Sequence, residues 1–143
     1  MLALREAGYV VSMPFGENTR YDLLIDDGTR ISRVQCKSGQ LASGVVRFKT
    51  ASSYAHHRSP AHARRHYMGE IDFFAVYCQA NRGVYLIPID DVTTTCEARL
   101  RVSPTRNSQR RRIRAATDYE VATVAVVVTR GLRGSSGARG SSA

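Results

Sequence analysis

Tyr21-Asp22-Leu23-Leu24-Ile25-Asp26-Asp27-Gly28-Thr29-Arg30-Ile31-Ser32-Arg33-Val34-Gln35-Cys36-Lys37 is the stretch that decides the fold. Residues 21–25 and 31–36 are short runs rich in β-branched or large apolar side chains, and Asp27-Gly28 between them is a strong tight-turn dipeptide. They predict an antiparallel pair of strands. Ile31, Val34 and Cys36 mark the second run as a buried strand. Arg33, Gln35 and Lys37 alternate onto its other face, because strand side chains have a period of two. Gln35 and Lys37 therefore point the same way, and folding the chain back at the turn brings Asp22 beside them.

A carboxylate, an amide oxygen and an ammonium then converge. Hard divalent cations such as Mg2+ take oxygen ligands, keep several waters and are held by one or two carboxylates plus substrate phosphate oxygens. Asp22 and the Gln35 carbonyl oxygen suit that role. Taken singly, each residue also has an ordinary structural reading: Asp22 as a strand cap, Gln35 as a polar strand residue, Lys37 as a solvated edge charge. Composition sharpens the comparison, because of the 21 basic residues only Lys37 and Lys49 are lysines. Arg is a planar fork that stays charged, whereas Lys is a compact point charge whose pKa shifts readily, so the two are not equivalent beside a reacting water.

Four segments share one further pattern: Asn18-Thr19-Arg20-Tyr21-Asp22-Leu23-Leu24-Ile25-Asp26, Arg33-Val34-Gln35-Cys36-Lys37-Ser38-Gly39, Asp72-Phe73-Phe74-Ala75-Val76-Tyr77 and Val84-Tyr85-Leu86-Ile87-Pro88. From about Gly8 to Tyr119 the sequence resembles the PD-(D/E)XK nuclease superfamily. Within it, the resemblance is to the branch of group I intron-encoded homing endonucleases and related proteins that carry Gln in place of the second acid. It implies an α/β restriction-endonuclease-like core, a mixed central sheet flanked by helices. It also implies that Asp22 is the metal-binding Asp, Gln35 the variant second metal-site residue, Lys37 the catalytic Lys, and Cys36 a ligand through its backbone carbonyl only. The reaction implied is phosphodiester hydrolysis with Mg2+, or Mn2+, as cofactor. Gln35 is neutral, so such a site holds one negative charge fewer than the usual acid pair and binds Mg2+ more weakly. Relatives also carry a Glu on the first helix, about three turns before the position of Gly8-Tyr9. Glu6 is not its equivalent, and Glu17 in its polar loop reads as a solvated charge.

Length and composition agree with one small domain, since 143 residues with 43% apolar side chains bury one core. The reading places the nuclease-like domain at residues 1–122 and an extension at 123–143, disordered from about 130, where Gly, Ser and Arg leave almost nothing to bury. No apolar run approaches the roughly 18–20 residues that cross a bilayer, and the start lacks a signal peptide's regions, so a cytoplasmic location without membrane contact is expected. Cys36, Cys78 and Cys96 lack the close pairs of a zinc or redox motif; Cys36 and Cys78 read as buried thiols. A net charge of +9 favours a polyanionic partner, here DNA. Arg20, Lys49, Arg58, Arg64 and Arg65 are the candidate DNA contacts, and Arg106, Arg110, Arg111, Arg112 and Arg114 form a second basic cluster.

Further strands are expected at residues 45–50, 72–78 and 84–89, with a polar or helical stretch at 53–69, a short helix at 90–94 capped by Asp90, and a helix-like basic segment at 107–116. His62 and His66 stand at helical i, i+4 spacing beside His56 and His57. Zinc would need further ligands, and neither HExxH nor paired cysteines are present. Arginines, Tyr54 and Tyr67 make that stretch a better DNA-facing segment. Asp72 reads as a structural partner for an Arg, Tyr85 as core and Pro88 as a strand end. The leading expectation is a Mg2+-dependent DNA endonuclease acting as a homo-oligomer, dimer or tetramer, since cutting both strands needs two sites. The alternative is a nucleic-acid-binding module of the same fold with weak or no catalysis.

Overall fold

The computed structural model describes residues 1–16, 19–53, 64–104 and 114–121. It begins with a short helix, α1 (Leu2–Glu6), followed by β1 (Val10–Ser12), β2 (Leu23–Asp26), β3 (Ile31–Ala42), β4 (Val45–Lys49), β5 (Ala51–Ser53), β6 (Arg64–His66), β7 (Phe73–Cys78), β8 (Gly83–Pro88) and β9 (Glu97–Arg101). Single 3-10 turns occur at Ile89–Asp91 and Ala116–Asp118. Helix α1 stops where Gly8 takes a positive φ of 97°: its N–H bonds the Arg5 carbonyl and the Tyr9 N–H bonds that of Leu4, a Schellman closure.

The expected hairpin is present. β2 and β3 pair antiparallel, with Leu23 opposite Val34 and Asp26 opposite Ile31. Asp27 closes the turn by accepting from the backbone N–H groups of Thr29 and Arg30 and from the Thr29 hydroxyl, and Gly28 supplies the positive φ. β3 then serves two neighbourhoods. Its middle pairs in parallel with β7, Val34 to Phe73 through Gly39 to Cys78, and its end turns into a hairpin with β4. The seven-stranded sheet runs β1-β2-β3-β4-β9, with β7 added to β3 and β8 to β7; β5 and β6 form a separate ribbon.

Alternation along β3 and β7 divides the core in two. Val34 and Ala75 join Leu4, Tyr9, Leu23, Ile25 and Leu86 under α1. Phe74 and Val76 face the other way, with Tyr67, Ile71, Tyr85, Ile87, Val46, Phe48 and Leu100, so that β4 and β9 cover that second layer. Phe74 is flanked edge-on by Phe48 and Tyr67, at 5.7 and 5.5 Å between ring centroids.

The mixed sheet matches the restriction-endonuclease-like expectation, whereas the flanking helices do not: among the described residues α1 is the single α-helix. Residues 64–66 form a strand rather than helix, so His66 extends along β6. The helix expected at 90–94 is a 3-10 turn over Ile89–Asp91, with Pro88 at the cap position and no side-chain cap. Cys78 is buried as expected, but Cys36 is exposed, because α1 covers its side of β3 only as far as Val34. Asp72 is the Arg partner anticipated: it accepts from Arg30 at 2.9 Å, from the Arg33 N–H at 2.7 Å and from Arg33 Nε at 3.3 Å. Tyr85 is core, and Pro88 ends β8. The readings for Glu17, Tyr54, His56, His57, Arg58, His62, Arg106, Arg110, Arg111, Arg112 and the tail from 130 lie outside the described residues. No helix among the described residues is long and apolar enough to cross a membrane.

Candidate active site

Asp22 sits one residue before β2, tied to β3 by its own N–H, which donates to the Val34 carbonyl at 2.9 Å. Since Leu23 opposes Val34, this places Asp22 against Gln35. Asp22 Oδ2 accepts twice, from Gln35 Nε2 at 2.5 Å and from the Cys36 backbone N–H at 2.7 Å. Both donors come from β3, so the carboxylate clips its own strand to the next and is held in one orientation. Its second oxygen, Oδ1, takes neither of these bonds.

The Gln35 amide suits a position this close to the Asp22 carboxylate. A Glu at 35 would set two carboxylates within hydrogen-bond distance, and like charges that close cannot both ionise cheaply. The Gln N–H instead satisfies Asp22, and its Oε1 remains as an acceptor. Nε2 also lies 3.5 Å from the Cys36 carbonyl oxygen. The candidate ligands are thus three oxygens from one carboxylate, one amide and one backbone carbonyl. Among the described residues no group of three or more His, Cys, Asp or Glu side chains is placed to hold a metal. A donor set so poor in charge fits Mg2+, which retains waters and draws further oxygens from a phosphate, better than zinc.

Two residues along the same face, Lys37 is half-buried and runs to Tyr67: its Nζ donates to the Tyr67 hydroxyl at 3.2 Å and stands 4.9 Å from the ring centroid. Tyr67 is 4% exposed and packed on Phe74. Arg20 stacks on the same ring at 4.2 Å. Its other bonds fix it fully: Nε to Glu70, one terminal nitrogen to Ser52 Oγ and the other to the His66 carbonyl, the last two at 2.8 Å. Glu70 also receives Arg65. The hydrogen bond from Arg20, and then both arginine charges, hold the Glu70 carboxyl below its ordinary range against a smaller opposing effect of burial.

The structure therefore brings Asp22, Gln35, Cys36 and Lys37 together and adds Tyr67, Arg20 and Glu70, which support Lys37. Of the candidate DNA contacts, Arg20 is engaged inside this clasp rather than turned outward. Arg65 is half-exposed and paired with Glu70, and Lys49 lies on β4, 3.9 Å from Glu97. Arg64 belongs to β6. Tyr67 and Glu70 were not anticipated as support, because their partners lie 30 and 50 positions away in the chain. No local spacing signals that.

On the opposite side of β3, Cys36, Ser38, Leu23, Tyr77, Val84 and the start of α1 line an open groove of about 590 Å³.

The PD-(D/E)XK endonuclease family model matches residues 1–122. Among solved structures the chain is similar to a bacterial homing endonuclease, I-Ssp6803I, with a TM-score of 0.66 and 21% sequence identity over 95% of this chain and 90% of that one. At that identity the likeness is one of fold. No curated protein matches the sequence.

Proposed function

The chain belongs to the PD-(D/E)XK endonuclease family, and from that premise we propose that it is a metal-dependent DNA endonuclease of homing or mobile-element type, with Asp22, Gln35 and Lys37 as its catalytic centre. One observation carries the reading. The Asp22 carboxylate and the Gln35 amide are joined across two strands, with Lys37 next on the same face. Asp22, Gln35 Oε1 and the Cys36 carbonyl would hold Mg2+ or Mn2+. When bound there, such an ion would supply polarisation of the scissile phosphate and a lowered pKa for the attacking water. Lys37, kept in place by Tyr67, orients that water and offsets the charge that grows on the phosphate oxygens. The Cys36 N–H and the Gln35 amide fix the direction of the Asp22 carboxylate, so little rearrangement is needed when the substrate arrives. Cutting both strands calls for two such sites, hence a homo-oligomer, dimer or tetramer. The homing type rests on the pattern of the sequence and on the homing endonuclease of similar fold.

A second reading has its own support. Because a neutral Gln35 amide stands against Asp22 where an acid pair would bind a cation more tightly, the same geometry suits a DNA-binding module with weak or no turnover. Supercoiled plasmid and a pooled duplex library, incubated at low salt with Mg2+, Mn2+ or EDTA, separate the two. Metal-dependent cutting that Asp22→Ala and Lys37→Ala abolish, both variants remaining folded by circular dichroism, is the expected result. Full activity in either variant removes the assignment, and binding without cutting selects the second reading.

A further inference from the structure

The inner face of β4 and β9 is apolar, with Val46, Phe48, Ala98 and Leu100 all buried in the core. Its outer face is the reverse. There Arg47 stands directly opposite Arg99, Lys49 opposite Glu97, and Arg101 opposite Val45. Arg114 joins them through the chain that pairs beside β9, where the Arg101 N–H donates to the Arg114 carbonyl at 2.8 Å. Arg47, Arg99, Arg101 and Arg114 line a shallow cleft of about 240 Å³ that ends at the Ser43-Gly44 turn.

Like charges directly opposite each other on an antiparallel pair repel, and folding alone gains nothing from Arg47 facing Arg99. Among the described residues, Glu97 is the acid that pairs with this face, and it is shared between Lys49 and Arg99. Arg47, Lys49, Arg99 and Arg101 thus have one carboxylate among them, while the Arg114 side chain also interacts with the Tyr119 hydroxyl. Arg47 and Arg99 are exposed, so their charge is directed at solvent. Along a strand, every second residue returns to the same face after about 6.8 Å. Arginine's planar fork matches phosphate oxygens two at a time.

We infer that the outer face of β4 and β9 is a second duplex-DNA contact surface, in which Arg47, Arg99, Arg101 and Arg114 neutralise backbone phosphates. The inference rests on the reading that the substrate is DNA, but not on catalysis. Arg47 pairs with Gln40, and by alternation along β3 Gln40 faces away from the side that carries Lys37. The surface therefore holds a segment of duplex other than the one being cut, and it reads charge rather than base sequence.

The test compares the full chain with Arg47→Gln/Arg99→Gln, both sites being exposed. Binding to a fluorescein-labelled 30-mer duplex is followed by anisotropy from low to moderate NaCl, in EDTA. Loss of two phosphate contacts should flatten the slope of log affinity against log salt by about 2. Melting temperature should stay level or rise, because a repulsive pair is removed. An unchanged slope overturns the inference, as does a parent chain that does not bind duplex at all. Loss of binding to polyglutamate with an unchanged DNA slope overturns it too, and assigns the face to an acidic protein. Plasmid cleavage with Mg2+ is measured in parallel: a flattened slope without any metal-dependent cutting keeps this surface and rejects the nuclease reading.

Discussion

Gly39 lies two residues beyond Lys37, where β3 leaves its parallel pairing with β7 and starts its hairpin with β4. A methyl group built at this position meets Val46 Cγ1 at 2.7 Å, Val76 Cγ1 at 3.0 Å and Cys78 Cβ at 3.4 Å. Ordinary carbon contacts fall at about 3.5–4.0 Å, so two valines must retreat by up to roughly 1 Å. Neither has room to do so: Val46, Val76 and Cys78 are all 0% exposed, and protein interiors are packed to crystal density. Overpacking of this kind costs about 1–3 kcal/mol. Each kcal/mol moves Tm by about 2–4 °C in a domain of this size, so Gly39→Ala should lower Tm by roughly 2–12 °C. Calorimetry on Gly39→Ala, Val46→Ala and the double variant isolates the cause. Val46→Ala destabilises by itself but opens the space the new methyl needs, so the double variant should recover at least about 1 kcal/mol relative to the sum. Strict additivity, or an unchanged Tm in Gly39→Ala, refutes the steric argument.

Three other outcomes follow from the site and its supports. Tyr67→Phe keeps the ring under Lys37 and removes the hydroxyl it donates to; a hydrogen bond to a charged group is worth about 1.5–3 kcal/mol, so cleavage should fall about tenfold or more, and Tyr67→Phe added to Lys37→Ala should lower the residual activity no further. Gln35→Glu should lower Tm in EDTA through repulsion with Asp22 and regain it on adding Mg2+, a dependence that thermal shift reads and that the parent should show only weakly. Burial alone would push the Asp72 carboxyl up, but the Arg33 N–H and side chain, with Arg30, outweigh it and set the folded value below the 3.8 of the free acid. Stability from Asp72 is therefore complete above about pH 3.8 and is lost as pH falls through the lower folded value. Asp72→Asn should reduce the difference in urea midpoint between pH 6 and pH 3, and an unchanged difference would contradict this.

The hairpin was legible because its signals are local: Asp27-Gly28 forces the reversal, and alternation alone places Gln35 with Lys37. Asp72 was legible for a similar reason, as an acid leading into an apolar strand needs a partner. Strand β9 was missed, although Ala98 and Leu100 alternate with Glu97, Arg99 and Arg101, because three charges in five residues mask the two inward positions. Strand β1 leaves still less trace: Val10 and Ser12 are exposed, and its pairing with β2 is made by backbone groups. The exposure of Cys36 depends on how far α1 extends over the sheet, which no strand periodicity encodes. The clasp around Tyr67 joins residues from β5, β6 and the loop before β2, and only the completed fold sets those side by side.

The parallel register between β3 and β7 also places a parity rule on how this chain can change length. Adding or deleting one residue inside β3 ahead of position 35, with the pairing of its first residues to β2 kept and no bulge formed, would shift the register on β7 by one, carry the Gln35 and Lys37 side chains through the sheet to the groove and bring Cys36 to the working face. Removing or adding two preserves the face. The turn at residues 27–30 lies outside the ladder and escapes the rule. Odd and even length changes are thus equivalent in that turn and opposite in their effect a few residues later, so homologues with a working centre should differ in length freely at the turn and only by pairs along the strand.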